Sequence, residues 1–491
     1  MLAPLSAALV LGTAAAQSAA RVPITAEPAA ADATDVTIER GPDGCEVLHV
    51  AIGFDVDPEE VLALEWPDRW GPEEGLGGLI EGLRLTGPDG VETALAGTSE
   101  ASRLEDLDPG RHVLSYTVRQ DYEGLPQWGE HRIPGMRPVL QPEFATAIGR
   151  TFLPTLPDEE VIVTARIDPE RAAFHRPVDA DGQAQLGYRR LADGVFVFGG
   201  FRYASADHDG VRVRQAIRGQ WALSDDEISA ASRAVLGHGS RLFDDPAFDQ
   251  YFIALTVLPE TPGTSSVIGS GFDESFFILA TPNAKAANLT HTIVHEVLHE
   301  WIPRRAGRTD EATDPSRAWF IEGFTEYFTQ RILLASGLIA LDEYVANFDA
   351  MLQAYLRSPV RELPARELNE RLFESRATER LPYQRGALLA LSWDSSLQKQ
   401  DGPGLERVIA DLIDRADRLA EAGEAPTLTD AAIHAALEAR LGQRFTHDFD
   451  AHVARGGPID PAALTLPAGI VIRNDESGPR LAVKKEPREG K

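Results

Sequence analysis

Apolar and polar positions change rhythm partway along the chain. From Cys45 to about Phe201 they alternate in short runs: Val47 to Phe54, His112 to Val118, Val161 to Ile167 and Val195 to Phe198. Turn formers such as Gly87-Pro88-Asp89-Gly90 and Asp108-Pro109-Gly110 separate them. A period of two puts alternate side chains on one face, so these runs predict a β-sandwich-like domain. The rhythm then becomes helical. Ser224-Asp225-Asp226-Glu227 has the form of a capping box opening a helix over Ile228 to Leu242. Tyr251 to Leu258 and Ser275 to Ala280 read as strands, the second after a turn at Gly269-Ser270-Gly271. Beyond Pro282-Asn283, the residues Leu289, Ile293, Val294, Val297, Leu298 and Trp301 recur at helical spacing. From Ala318 to about Val453 the pattern stays mostly helical. The expected fold class is α+β and multidomain, an N-terminal β-sandwich-like domain before a mainly helical one. The expected boundaries are a leader at 1–20, a linker at 21–40, the β domain at 41–200, the helical domain at 201–457 and a tail at 458–491. The tail is polar and Pro-rich, and is expected to hold one strand at Ala468 to Ile472 and otherwise to be disordered.

The helix after Pro282 carries the chemistry. It contains His295-Glu296-Val297-Leu298-His299, an HExxH motif. Residues four apart share a helix face, so the two imidazoles converge on one zinc ion. Glu296 is rotated from them by about 100° and reaches a water on that metal. Two histidines leave a tetrahedral zinc short of one protein ligand. Glu322, in Trp319-Phe320-Ile321-Glu322-Gly323, stands on a second helix and supplies it. Breakers at Pro303, Gly307 and Pro315 allow the chain to turn back between the two helices. His291 shares the stripe, but lies about 12 Å from His299 along the axis and is no third ligand. Glu326, one turn after Glu322, is placed to hold a histidine ring in the second shell of the metal.

These segments resemble the gluzincin metallopeptidases, whose pattern is HExxH followed by WxxEG. Pro382-Tyr383-Gln384-Arg385-Gly386 is similar to the family's Tyr-x-Lys/Arg-Gly segment, which implies Tyr383 as a hydrogen-bond donor to the reaction's oxyanion. Glu322 follows His299 by more than the aminopeptidase N spacing. Trp301, Arg304-Arg305, Glu322 to Thr325 and Tyr383 to Asp394 resemble the glycyl aminopeptidase family more closely. That resemblance implies a thermolysin-like catalytic domain, one zinc held by His295, His299 and Glu322, and Glu296 as general base. It also implies that the strand before the metal helix, Ser275 to Ala280, lies along the cleft and pairs with substrate. Asp273 and Glu274 precede it and are the candidates for binding a substrate's free amine, although the family's usual Gly-x-Met-Glu-Asn segment is absent. The family's C-terminal PDZ domain is expected to be missing, because 458–491 is too short. The implied function is a zinc peptidase, an aminopeptidase before an endopeptidase; the rival is a non-catalytic peptide-binding protein on the same scaffold.

Composition narrows the setting. The chain has 491 residues, 43% of them apolar and 25% charged, enough for two or three domains with sizeable cores. Its net charge of −29 is the reverse of a nucleic-acid binder's. The single cysteine, Cys45, allows no internal disulfide. Residues 1–20 carry no charge and run through an Ala-rich apolar stretch, which reads as a secretory signal and predicts a periplasmic or secreted protein. No other run is long and apolar enough to span a membrane. The expected partner is a peptide or protein substrate.

Overall fold

The computed structural model describes residues 34–484, apart from 42–43, 57–61, 67, 71–72, 99–102, 105–106, 127–136, 157–160, 168–171, 209, 247, 261–264, 309–314 and 477. The leader and most of the linker lie outside the described residues.

Three sheets stack in sequence, and alternation explains how. A seven-stranded sheet runs in the order Gln183–Gly187, Ile162–Ile167, Thr34–Gly41, Gly44–Val56, Gly110–Arg119, Ile80–Thr86, Glu92–Ala94. It shares a core with a four-stranded sheet whose central pair is Phe144–Ile148 and Val195–Gly199. Within Val195–Gly199, Phe196 and Phe198 enter that sandwich core, alongside Leu48, Val50 and Phe152. Val195 and Val197 point the other way, into a second apolar layer with Phe252, Ala254, Phe277 and Leu279. A strand buried on both faces thus joins the N-terminal domain to the next sheet.

That next sheet contains β1 (Arg202–His208), β2 (Val211–Arg218), β3 (Gln250–Val257), β4 (Val267–Phe272) and β5 (Ser275–Ala280), in the order β1-β2-β3-β5-β4. β2, β3 and β5 are parallel; β4 returns antiparallel to β5 as the edge. Alternation again divides the side chains. Phe277 and Leu279 face the N-terminal domain, whereas Phe276 and Ile278 face the helices.

Five helices frame the site: α1 (Asp225–Phe243), α2 (Ala286–Leu298), α3 (Ala318–Ala335), α4 (Leu341–Arg357) and α5 (Arg376–Gln398). α1 opens with the expected capping box, Ser224 accepting from the Glu227 backbone N–H and Glu227 accepting from that of Ser224. α3 and α5 cross at their glycines. A Cβ on Gly323 would stand 2.4 Å from the Gly386 Cα, so the two backbones touch. Gly323 therefore serves helix packing.

The strand expected at Ala468 to Ile472 is found at Ile470–Asp475, but the described residues around it, 458–476 and 478–484, depart from the expected disordered tail. Ile470–Asp475 and Gly478–Val483 form a hairpin against α4. Leu481 is buried there, Arg480 pairs with Asp349, and the Pro479 carbonyl accepts from Gln353. Its few apolar residues gave no long periodic run to read, yet within the hairpin Ile470, Ile472, Leu481 and Val483 reach the main core. No helix among the described residues is long and apolar enough to cross a membrane.

Candidate active site

α2 delivers HExxH at its last turn, with His299 as the capping residue. The face carrying Leu289, Ile293, Val294 and Val297 is buried in the main core, which fixes the helix rotation and turns the histidines outward to α3. There Glu322 Oε2 lies 3.1 Å from His295 Nε2 and 3.7 Å from His299 Nε2. The three ligand atoms all fall within 4.8 Å of one another. A tetrahedral zinc with bonds of about 2.1 Å spaces its ligands by roughly 3.4 Å, so this donor set fits the ion.

The other ring nitrogens are held from behind. His299 Nδ1 lies 2.9 Å from the Ile302 carbonyl. His295 Nδ1 faces Glu326 Oε2 at 3.5 Å. Donation from Nδ1 to the Ile302 carbonyl leaves the His299 Nε2 lone pair for a metal. Glu326 also reaches His291 Nε2 at 3.0 Å, which occupies His291 away from the ligand cluster.

Buried charges set the electrostatics. Burial favours the neutral ring of both histidines and lowers His299 to about 4. At His295 the bonds to Glu322 and Glu326 outweigh burial and raise it to about 10. Glu322 feels burial in the opposite sense, but the two histidines and the Tyr383 hydroxyl hold it at about 2. Burial lifts Glu296 to about 7, and the Gly271 N–H bonded to it pulls the other way. Three carboxylates around two imidazoles make a site that favours a cation. The Tyr383 ring stacks on His295 at 5.6 Å, and its hydroxyl bonds Glu322. Burial and Glu322 raise this phenol well above its usual range, so it stays a proton-bearing donor.

The cleft strand is β4, not β5. β5 has β3 on one side and β4 on the other, so both its edges are paired and neither can meet a substrate. Gly269-Ser270-Gly271, expected as a turn, is the middle of β4. Its glycines bring the backbone against the metal helix. A Cβ on Gly269 would meet Glu296 Cγ at 2.7 Å, and one on Gly271 would meet His299 Cβ at 3.0 Å. Glycines two apart in a strand would have been the signal for this approach. The outer edge of β4 pairs with no strand among the described residues.

Asp273 and Glu274 form the turn between β4 and β5, and both are already bound. Arg190 donates to Asp273 at 2.9 Å and to Glu274 at 2.6 Å; Arg176 reaches the same pair at 3.2 and 2.6 Å. His175 adds a 3.3 Å contact to Asp273. The Glu274 N–H donates to Glu300 Oε2 at 3.1 Å. Burial pushes Glu274 to about 7 and Glu300 to about 8. The expectation that either residue meets a substrate amine is corrected by this network, which ties the N-terminal domain to the end of the cleft strand. Neighbouring Arg305 is likewise occupied, by Asp245 and Asp417.

Residues 288–380 match the family model of the M61 glycyl aminopeptidase. No curated protein matches the chain. Among solved structures, an aminopeptidase N family protein from Idiomarina loihiensis superposes with a TM-score of 0.69 at 15% identity, covering 90% of this chain and 79% of that one. An M1 zinc metallopeptidase from Deinococcus radiodurans gives 0.53 at 17% identity, over 89% and 96%. A mutant of the Deinococcus protein bound to a Tyr-Ser-Ala substrate gives 0.52 at 17%, over the same shares. At these identities the likeness is one of fold: a β-rich N-terminal region before a helical domain.

Proposed function

We propose that this gluzincin-type zinc metallopeptidase removes residues from the free N-termini of peptides, with His295, His299 and Glu322 holding one zinc. The observation that carries it is the convergence of His295 Nε2, His299 Nε2 and Glu322 Oε2, with buried Glu296 on the next position of the same helix. The match to the glycyl aminopeptidase model supports the exopeptidase direction. Bound there, zinc would supply a Lewis acid and lower the pKa of a water. Glu296 takes the water's proton and passes it to the leaving amine; a carboxyl held near neutrality suits both halves of that exchange. Tyr383 donates to the scissile carbonyl oxygen as charge gathers on it. The free edge of β4 pairs with extended substrate backbone, by strand addition. Glu326 orients His295. The alanine-rich leader supports action in the periplasm or outside the cell.

Endopeptidase action is the second reading, because the arginines on Asp273 and Glu274 occupy the expected amine anchor. One panel separates the two: zinc content, then cleavage of free-amine and N-blocked peptides, wild type beside Glu296→Gln. The expected result is about one zinc per chain, cleavage of free-amine substrates only, and loss of about 10²–10⁴-fold in kcat for Glu296→Gln with zinc retained. Cleavage of blocked peptides establishes the endopeptidase. Zinc without turnover on any substrate sinks the catalytic reading.

A further inference from the structure

A hollow of about 310 Å³ opens beside the candidate site, between the end of α4 and the start of α5. Its lining includes Arg357, Arg376, Arg380 and Gln384, and none of its described lining residues is acidic. Arg376, Arg380 and Gln384 follow one stripe of α5 at four-residue spacing. The stripe leads to Tyr383, over whose ring the Arg380 guanidinium sits at 5.6 Å.

These arginines are unlike their neighbours. Arg331, Arg361, Arg371 and Arg385 all have carboxylate or carbonyl partners. Arg357, Arg376 and Arg380 are exposed and form no ion pair among the described residues, in a chain of net charge −29. Local physics also disfavours Arg376 and Arg380, whereas Arg357 sits in the last turn of α4, where the helix dipole favours a cation. Like charges four apart on a helix repel, and cations in the first turns oppose the helix dipole. At the Tyr383 end, the Gln384 side-chain oxygen is buried without a hydrogen-bond partner. A cluster that faces a hollow and borders the reaction centre, with two of its members opposing the helix they stand on, has the character of a binding site rather than of a structural element.

We propose that this hollow is an anionic subsite: Arg357, Arg376 and Arg380 bind a carboxylate of the peptide substrate, one or two residues from the scissile bond. The inference rests on the peptidase reading and deepens it by naming the substrate class. The carboxylate comes either from the C-terminus of a short peptide or from an acidic side chain, and guanidinium recognises both alike. Gln384 accepts a hydrogen bond from the substrate's backbone N–H.

The test uses matched peptides and the zinc-loaded protein. Gly-Ala-Ala is compared with its C-terminal amide, and Gly-Glu-Ala-amide with Gly-Gln-Ala-amide. Wild type is expected to favour at least one carboxylate over its neutral match by about tenfold in kcat/KM, the scale of a charge-assisted contact at a solvent-open site. The first pair reports the C-terminus and the second the side chain. Arg380→Gln and the double variant Arg357→Gln/Arg376→Gln should bring that ratio toward one. The same peptides are titrated calorimetrically into Glu296→Gln protein and into the arginine variants built on it. Carboxylate-selective binding that the arginine variants abolish supports the subsite even if wild type turns nothing over; that outcome sinks the peptidase reading alone. Equal handling of both members of both pairs overturns the subsite, as does a preference the variants leave intact.

Discussion

Replacing Gly386 by alanine pits two effects against each other. In an ordinary helix the change is favourable by about 1 kcal/mol, because glycine gives up more backbone freedom on folding. Here the new methyl would sit 2.0 Å from the Trp319 carbonyl oxygen and 2.7 Å from the Gly323 Cα. A relaxed carbon–oxygen contact is about 3.3 Å. The shortfall is thus about 1.3 Å, and both obstacles are backbone, which cannot swing aside. Forcing extra atoms into a packed interior typically costs about 1–3 kcal/mol, more where backbone must shift. A net loss of about 2 kcal/mol follows, or roughly 4–8 °C in Tm for a domain of this size. The same separation moves Tyr383, on α5, away from Glu322, on α3. A misplacement of about 1 Å at a reacting centre lowers kcat by about 10²-fold. Thermal melts and steady-state kinetics on wild type and Gly386→Ala measure both. An unchanged or higher Tm with normal kcat would show that helix propensity wins and that this crossing does not set the site.

Three further outcomes follow from the geometry. Gly269→Ala places a methyl against the flexible Glu296 side chain, so Tm should hold within about 2 °C while kcat falls about 10²-fold; a kinetically normal variant would detach β4 from the base. Glu326→Gln removes the charge behind His295 and should weaken zinc binding by about 10–100-fold in competition with a chelator, whereas wild-type affinity would make the His295–Glu326 contact incidental. Leu481→Ala should lower stability by about 2 kcal/mol in urea unfolding, and no shift would mean that the hairpin does not dock in solution.

The cluster of His295, His299 and Glu322 was legible in the sequence because HExxH encodes two of its members in local spacing and the Glu322 segment the third. Four residues on a helix put His295 and His299 on one face whatever surrounds them, and the apolar residues beside them dictate which way that face turns. The capping box at Ser224 is equally local. The sequence also implied the division into a β-rich and a helical domain, since periods of two and of 3.6 are visible without any partner. Tertiary structure decided everything that depends on which strand is an edge. Ser275 to Ala280 and Val267 to Phe272 are neighbours, and only sheet order shows that the apolar one is interior and the glycine-bearing one borders the cleft. Asp273 and Glu274 looked like free acids until the fold brought Arg176 and Arg190 to them from nearly a hundred residues away. Gly323 and Gly386 had no sign of contact along the chain. Likewise, nothing local marked the hairpin after 469 as part of the core. Such pairings join segments far apart in sequence, and a single chain read without its fold records the residues but not their meeting.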